Sequence, residues 1–422
     1  MKNNKFFKKT LEEGRFNLFD LISIENSPNS WLWCSSNSQI LKESYLKALE
    51  KESQEKISLK LSKELNCGKS TIGKHLIRLK NSTKESSLPL ILIEKICNHL
   101  EPKIKNKINK SINILYFTNN LSKPVKAVHF LTEELSEIIG AFVADGYFHK
   151  YDHDYYIKIT EGNEDSLILL SNKFKRIFGF TPRFTFFKED NAWTIWIKNK
   201  VICRYFENIF SFKPGKKAAN VKMPQIIKNS NFDIQRAFVR GIFTFDGCIK
   251  TTGNIAFCTR SKTLMNDIEY VLRKDSIPCK ITYNKNKDAW NLESSSGRNL
   301  NLLRKWKNYF FKNTIKYRKM QFFLNELKIT SLSDLESLFS QHYHGRVNFG
   351  NIYNAIKQIK KCENRDIIKY LNKMKINVAK TTLYKYLYLL SQSGLISKEN
   401  YQVRTNKNAF YRTIYSIQKS NI

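Results

Sequence analysis

The chain has 422 residues, 41% of them hydrophobic, and 72 Lys and Arg against 37 Asp and Glu give a formal net charge of +35. That length allows about three domains, and so large a surplus of cations points to a polyanionic partner, nucleic acid by default. A membrane partner would need a long apolar span or a basic amphipathic anchor. The longest apolar runs, such as LPLILI at 88–93, are core-sized. No long apolar segment follows the basic start MKNNKFFKK, so no signal peptide is expected and the protein reads as cytoplasmic, within reach of the nucleoid. The eight cysteines at 34, 67, 97, 203, 248, 258, 279 and 362 form no CxxC pair and are expected as reduced thiols rather than metal ligands.

In chain order, residues 1–100 read as an N-terminal helical domain. Within it, SQEKISLKLSKELNCGKSTIGKHLIRLK at 53–80 has the pattern of a helix-turn-helix, broken around Asn66-Cys67-Gly68. Its second helix would lead into the major groove with Lys69, Ser70, Thr71, Lys74 and His75. Residues 101–128, rich in Lys and Asn, are expected as a linker. Residues 129–222 and 223–325 are two copies of one unit, because IIGAFVADGYF at 138–148 aligns with VRGIFTFDGCI at 239–249 on the skeleton Gly-x-Phe-x-x-Asp-Gly. YIKIT at 156–160 then aligns with IAFCT at 255–259, and NAWTIWI at 191–197 with DAWNLES at 288–294.

Each copy reads as αββαββα: helices at 132–144 and 231–245, strands at 146–150 and 155–160 and at 247–251 and 254–259, helices at 164–178 and 261–275, strands at 183–188 and 192–198 and at 279–284 and 288–293, and closing helices at 199–210 and 298–310. Thr132 before Glu133 and Glu134, and Ser230 with Asp233 three later, are helix-start signals. Four antiparallel strands with helices on one side make an α+β layer. Residues 326–422 return to helices and end in strands. There NRDIIKYLNKM, KTTLYKYLYLLSQSGLI and YQVRTNKNAFYRTIYSI resemble a winged helix. Its reading helix would expose Lys380, Thr381, Thr382 and Lys385, Gly394 would end it, and Arg404 and Lys407 would lie near the wing tip.

A glycine inside a helix costs about 1 kcal/mol relative to alanine. Gly140 and Gly241 each occupy such a position, which fits two helices packed through them. Asp145 and Asp246 would then meet at the helix ends. Two adjacent carboxylates repel unless divalent cations lie between them, and carboxylates holding a hard cation beside a phosphate are the parts of metal-assisted phosphodiester hydrolysis.

EIIGAFVADGYF and AFVRGIFTFDGCI, with the lead-in VKMPQIIKNSNFDIQ, resemble the two signature helices of the LAGLIDADG homing endonucleases, of the two-motif kind found in inteins and archaea, over residues 129–325. The second helix departs from the pattern, with Phe245 where the first has the small Ala144. The resemblance implies two pseudo-symmetric units forming a saddle-shaped sheet on the DNA major groove. It also implies Mg²⁺ (or Mn²⁺) held by Asp145 and Asp246, and a monomer that cuts both strands of DNA. A lysine in each half would help activate water. Lys217 and Lys316 are favoured, five residues past the aligned Phe212 and Phe311, with Lys216, Lys222 and Lys319 as neighbours.

Alternation gives the DNA-facing strand positions. Ile157, Ile159, Phe184, Phe186, Trp193, Ile195 and Ile197 share the core parity. Lys158, Thr160, Arg183, Thr185, Thr194 and Lys198 have the other, and Arg260, Lys280, Thr282 and Asn291 are their second-unit counterparts, side chains able to match base edges. The alternatives on the same scaffold are a DNA-binding regulator retired from cleavage, and a maturase whose partner is intron RNA.

Overall fold

The computed structural model describes residues 14–22, 31–50, 52–81, 85–98, 102–117, 123–151, 154–215, 220–294, 299–339, 347–404 and 409–418. The chain divides into two units. One comprises Met1–Asp246, Cys258–Ser276 and Ile281–Asn291; the other comprises Gly247–Phe257, Ile277–Lys280 and Leu292–Ile422. The dividing line runs through the second sequence repeat. The class is α+β with antiparallel sheets.

The N-terminal part contains β1 (Trp33–Asn37), α1 (Ser38–Leu49), α2 (Gln54–Glu64), α3 (Lys69–Asn81), β2 (Glu85–Pro89), α4 (Leu90–Cys97), α5 (Pro102–Ser111), β3 (Ile112–Tyr116) and β4 (Val125–Lys126). Helix α2 starts where the Ser53 side chain accepts from Lys56 N. It ends at Glu64, and Asn66 beyond it, with φ of +45°, makes the turn into α3. Ile57, Leu61, Ile72, Leu76 and Leu79 bury the shared face of this pair. The connector expected at 101–128 is instead folded: β3 pairs with β1 in a sheet of order β2–β1–β3–β4. Ile108, Ile112, Leu115 and Val125 are buried there, an apolar spacing that the intervening Lys and Asn residues conceal.

The first repeat follows as α6 (Glu133–Asp145), β5 (Gly146–Tyr151), β6 (Asp154–Glu161), α7 (Glu164–Phe178), β7 (Arg183–Phe187), β8 (Ala192–Ile197) and α8 (Lys200–Arg204), which continues as a π turn over Tyr205–Ile209. Its sheet has the order β5–β6–β8–β7. Phe148, Ile157, Ile159, Ile195 and Ile197 line the buried face, and Leu167, Leu170, Phe174 and Phe178 of α7 present the helical stripe that covers it. Asn163 caps α7 at its start, and Gly179, with φ of +65°, closes it. On edge strand β7 the core parity is only partly buried: Phe186 is 40% exposed and packs its ring 4.9 Å from Trp193.

The second repeat contains α9 (Gln225–Lys228), α10 (Phe232–Asp246), β9 (Cys248–Ile249), β10 (Ile255–Thr259), α11 (Lys262–Lys274), β11 (Lys280–Asn284), β12 (Ala289–Ser294) and α12 (Leu300–Lys307), with strand order β11–β12–β10–β9. The start signal expected at Ser230 moves by one residue. Ser230 Oγ donates to Ile226 O at the end of α9, and Asn231 Oδ1 accepts from Ile234 N instead.

The remaining elements are α13 (Ile315–Phe323), α14 (Leu332–Phe339), α15 (Phe349–Ile359), β13 (Lys361–Cys362), α16 (Asn364–Lys373), α17 (Lys380–Gln392), β14 (Ile396–Arg404) and β15 (Ala409–Ile417), with sheet order β13–β15–β14. Among the described residues no helix is long and apolar enough to cross a membrane.

Candidate active site

Helix α6 is buried along Leu135–Val143, and α10 along most of Ile234–Phe245. A helix apolar all round belongs inside a protein, and these two pack on each other at their glycines. A Cβ on Gly140 would stand 2.1 Å from Phe238 O, and one on Gly241 would stand 2.3 Å from Glu137 O and 2.9 Å from Ala141 N. No side chain fits at either position, so the backbones themselves touch. The two helices run in the same direction: Ser136 Oγ donates to Ile234 O at 2.8 Å before the crossing, and both helices end after it.

Gly140 precedes Asp145 by five residues, as Gly241 precedes Asp246. At 1.5 Å per residue each chain therefore rises about 7.5 Å from the crossing to its carboxylate. The two aspartates thus terminate parallel helices at matched heights. Asp145 is half-buried, Asp246 is exposed and the intervening Phe245 is 3% exposed, so the bulky ring that departs from the motif is accommodated in the interior.

One feature of the helix pair escaped the sequence reading. Glu137 is 4% exposed and bridges three helices, accepting from Lys173 Nζ of α7 and from Arg240 Nη1 of α10, both at 2.5 Å. Paired and hydrogen-bonded on both oxygens, it is a buried charge in a tolerable setting.

Two carboxylates are hard oxygen donors, and with coordination positions left for water and phosphate they fit Mg²⁺ or Mn²⁺ better than a thiolate-loving metal. Among the described residues no group of three or more His, Cys, Asp and Glu converges into an all-protein cage.

The lysines separate clearly. Lys216 and Lys217 lie outside the described residues, and Lys222 is exposed. The segment that carries Lys222 is pinned: Val221 O accepts from Ser261 Oγ, and Met223 N donates to the buried Asp267, which also pairs with Lys228 at 2.6 Å. Lys316 is half-buried at the start of α13. One turn on, Lys319 is 2% exposed, with its amine 5.5 Å from the Phe339 ring centroid. Burial pushes its pKa down from 10.5 to about 8, the Cys248 thiol opposing the shift and Lys316 adding to it. Cys248 follows Asp246 by two residues. Spacing from Phe311 selected Lys316; only the packing of α13 singles out Lys319.

The open face of the first-repeat sheet carries the expected polar residues except Thr194, which the neighbouring strands bury to 2% exposure. Tyr147, Lys158, Trp196 and Arg183 lie across from one another on β5, β6, β8 and β7, as do Thr160, Thr194 and Thr185 on the last three. Thr160 and Thr194 share a hydrogen bond of 2.8 Å between their hydroxyls. Arg183 and Lys198 are exposed. What hydrogen-bonding logic omitted is the aromatic content. His149 stacks on Tyr156 at 4.6 Å, Tyr156 lies 5.3 Å from Trp196, and Lys158 sits 5.3 Å from the Tyr147 ring. The signal was present in the alternation of Tyr147-x-His149 and Tyr156-x-Lys158. In the second repeat, Lys280 and Thr282 are exposed, Asn291 is half-buried and Arg260 reaches Asp288 at 3.3 Å.

In the flanking elements, Lys69, Ser70 and Lys74 are exposed, Thr71 is half-buried, and Lys69 pairs with Glu55 at 2.6 Å. His75 corrects its expectation. It is 8% exposed, its ring centroid is 5.2 Å from that of Trp33, and burial lowers its pKa, so it is a core residue rather than a reader. On α17, Lys380, Thr381 and Lys385 are exposed together with Tyr384 and Tyr388, and Thr382 is half-buried. Lys407 and the Arg404 side chain lie outside the described residues.

Residues 233–306 match the model of the LAGLIDADG-like domain. Over 222 residues (51% of this chain and 19% of the other), the chain is 27% identical to the isomerizing glutamine–fructose-6-phosphate aminotransferase of Methanocaldococcus jannaschii. Over 172 residues (40% and 9%) it is 28% identical to the replication factor C small subunit of the same organism. The chain thus spans about a fifth or less of the length of these curated relatives. Among solved structures it is similar to I-DmoI in complex with DNA and Mn, at 17% identity and TM-score 0.33 over 41% of this chain and 95% of that one. The residues similar to a LAGLIDADG-like domain, 233–306, thus include α10, which crosses the glycine-centred helix α6 and ends in an aspartate matching Asp145.

Proposed function

We propose that the protein is a site-specific endonuclease that hydrolyses both strands of DNA. The observation that carries this reading is the helix pair: two repeats contribute one helix each, the backbones cross at Gly140 and Gly241, and each helix ends five residues later in a carboxylate. Asp145 and Asp246 are the residues that would hold divalent cations. Such ions, when bound, would lower the pKa of a water and offset charge on the phosphate. Lys319, its pKa lowered to about 8 by burial, is the second-repeat lysine that gives up its proton most readily near neutral pH, and in this reading it helps activate water. Lys158, Thr160, Arg183, Thr185 and Lys198, with Arg260, Lys280, Thr282 and Asn291, supply groove contacts in this reading. The exposed residues of α3 and α17 supply further contacts on either side, in modules read as helix-turn-helix and winged helix.

The matched relatives support an inserted origin. An aminotransferase and a replication factor share no chemistry, yet each contains a stretch like this one that occupies only 19% and 9% of its length. A segment common to such different hosts has a function of its own.

Asp145→Asn and Asp246→Asn, each nearly isosteric, test the proposal. Double-strand cutting in Mg²⁺ should fall by at least about 100-fold in either variant while DNA affinity in Ca²⁺ stays within a few-fold. If Asp145→Asn cuts both strands as the parent does, the assignment is wrong. Tight specific binding by the parent with no cutting in Mg²⁺ or Mn²⁺ would instead favour the regulator reading.

A further inference from the structure

The outer edge of the first-repeat sheet holds a cavity of about 670 Å³, whose lining shares Arg183, Thr185 and Lys198 with the groove contacts above but adds aromatic rings that groove contacts leave unexplained. Three cations line it: Lys123 ahead of β4, Arg183 on β7 and Lys198 beyond β8. Three aromatic rings line it as well, those of Phe180, Phe187 and Trp196, and none of the lining residues is acidic. Its wall is held in place. Asn199, fully buried, donates to Lys123 O at 2.9 Å while its Oδ1 accepts from Val201 N and Ile202 N at the start of α8. On the opposite side, Gly179 closes α7 against Lys126, whose Cγ lies 3.4 Å from where a Cβ would stand. Trp196 also continues the row formed by His149 and Tyr156, so the cavity is the end of an aromatic track across the open sheet face.

A paired duplex offers side chains the edges of its bases but hides their faces. Aromatic rings gain from base faces, and those are open only where a nucleotide is unpaired. Rings interleaved with lysines and an arginine are therefore the chemistry of a single strand, with bases stacking on the rings and phosphates meeting the cations. The volume is sufficient for one nucleotide.

We propose that this cavity binds an unpaired nucleotide of a nucleic-acid strand, its base against Trp196 and its phosphates at Lys123, Arg183 and Lys198. The site deepens the nucleic-acid reading above, but it requires neither cutting nor a metal ion.

The test is fluorescence anisotropy in EDTA with short fluorescein-labelled single strands, one intact and one abasic throughout, so that the two have equal charge. The full chain should bind the intact strand about tenfold tighter than the abasic one. Trp196→Ala should bring that ratio close to one, and Trp196→Phe, which keeps an aromatic ring, should retain most of it. Deoxyribose and ribose versions, with free AMP and dAMP as competitors, tell whether DNA, RNA or a free nucleotide is the source. Preference for any of these keeps the proposal and names the source. An unchanged ratio in Trp196→Ala, equal binding of intact and abasic strands by the parent, or displacement by polyglutamate as readily as by an intact strand overturns it. Because the readout is a ratio taken without divalent ions, failure here leaves the cleavage reading standing, and loss of cutting in Asp145→Asn leaves this one standing.

Discussion

Single side chains set the chemistry, and Lys319 shows how. A lysine that is 2% exposed with a pKa near 8 is charged at pH 7 at a cost to the folded state. Between pH 8 and the ordinary lysine value, the unfolded chain binds more protons than the folded one, so this residue makes stability rise with pH across that window and fall as pH drops through 8. Lys319→Met should therefore melt higher than the parent at pH 7, by up to about 3 kcal/mol, while losing most of its cutting rate. A variant both less stable and fully active would refute the role. Asp20 shifts the other way: burial, larger than the opposing hydrogen bond from Asn17, raises its pKa to about 6. The folded state then holds a proton that the unfolded state has released, so the contribution of Asp20 is present below about pH 4 and is lost as pH rises through 6. Asp20→Asn should flatten the urea midpoint between pH 4 and 7 and raise it at pH 7. Neither lysine nor aspartate was distinguishable in the sequence, because on a chain with 72 basic residues burial alone separates them.

At the scale of elements the two glycines decide whether the helix pair forms. A Cβ at Gly241 meets the carbonyl of Glu137 at 2.3 Å, and backbone cannot swing aside as a side chain can. Gly241→Ala should cost more than about 3 kcal/mol. Gly73, inside α3 with nothing within 4 Å of its added Cβ, is the internal control. Gly73→Ala should gain about 1 kcal/mol from helix propensity alone. Thermal melts of the two variants give opposite signs if the crossing is as described, and two small shifts of the same sign would reject it. The glycines, the aspartates and the αββαββα order were legible because a repeat doubles each signal, and α7 spans 164–178 as its apolar spacing predicts. The Glu137 bridge and the fold of residues 101–128 were not. An ion pair between helices 36 and 103 residues apart leaves no periodic trace, and β3 earns its place in the sheet from β1, some eighty residues earlier.

Across the whole molecule, charge is the quantity that acts together. In the nucleic-acid reading, a net +35 would make phosphate contacts the main source of affinity, each contact releasing condensed counterions. The logarithm of the binding constant should fall linearly with the logarithm of salt concentration, with a slope near −0.9 for every phosphate neutralised. Six to ten contacts would weaken binding by roughly 10³ to 10⁵ between about 50 and 200 mM salt. The slope also reports on parts of the chain remote from the aspartates. Lys380 and Lys385 lie exposed on α17, beside the three-stranded sheet β13–β15–β14. If that helix lies on DNA, Lys380→Ala/Lys385→Ala should reduce the magnitude of the slope by about 2. Cutting at low salt would persist, because the carboxylates are untouched. Anisotropy titrations on one duplex at several salt concentrations measure it. A slope equal to that of the parent would remove α17 from the DNA interface and leave the repeats as the binding surface.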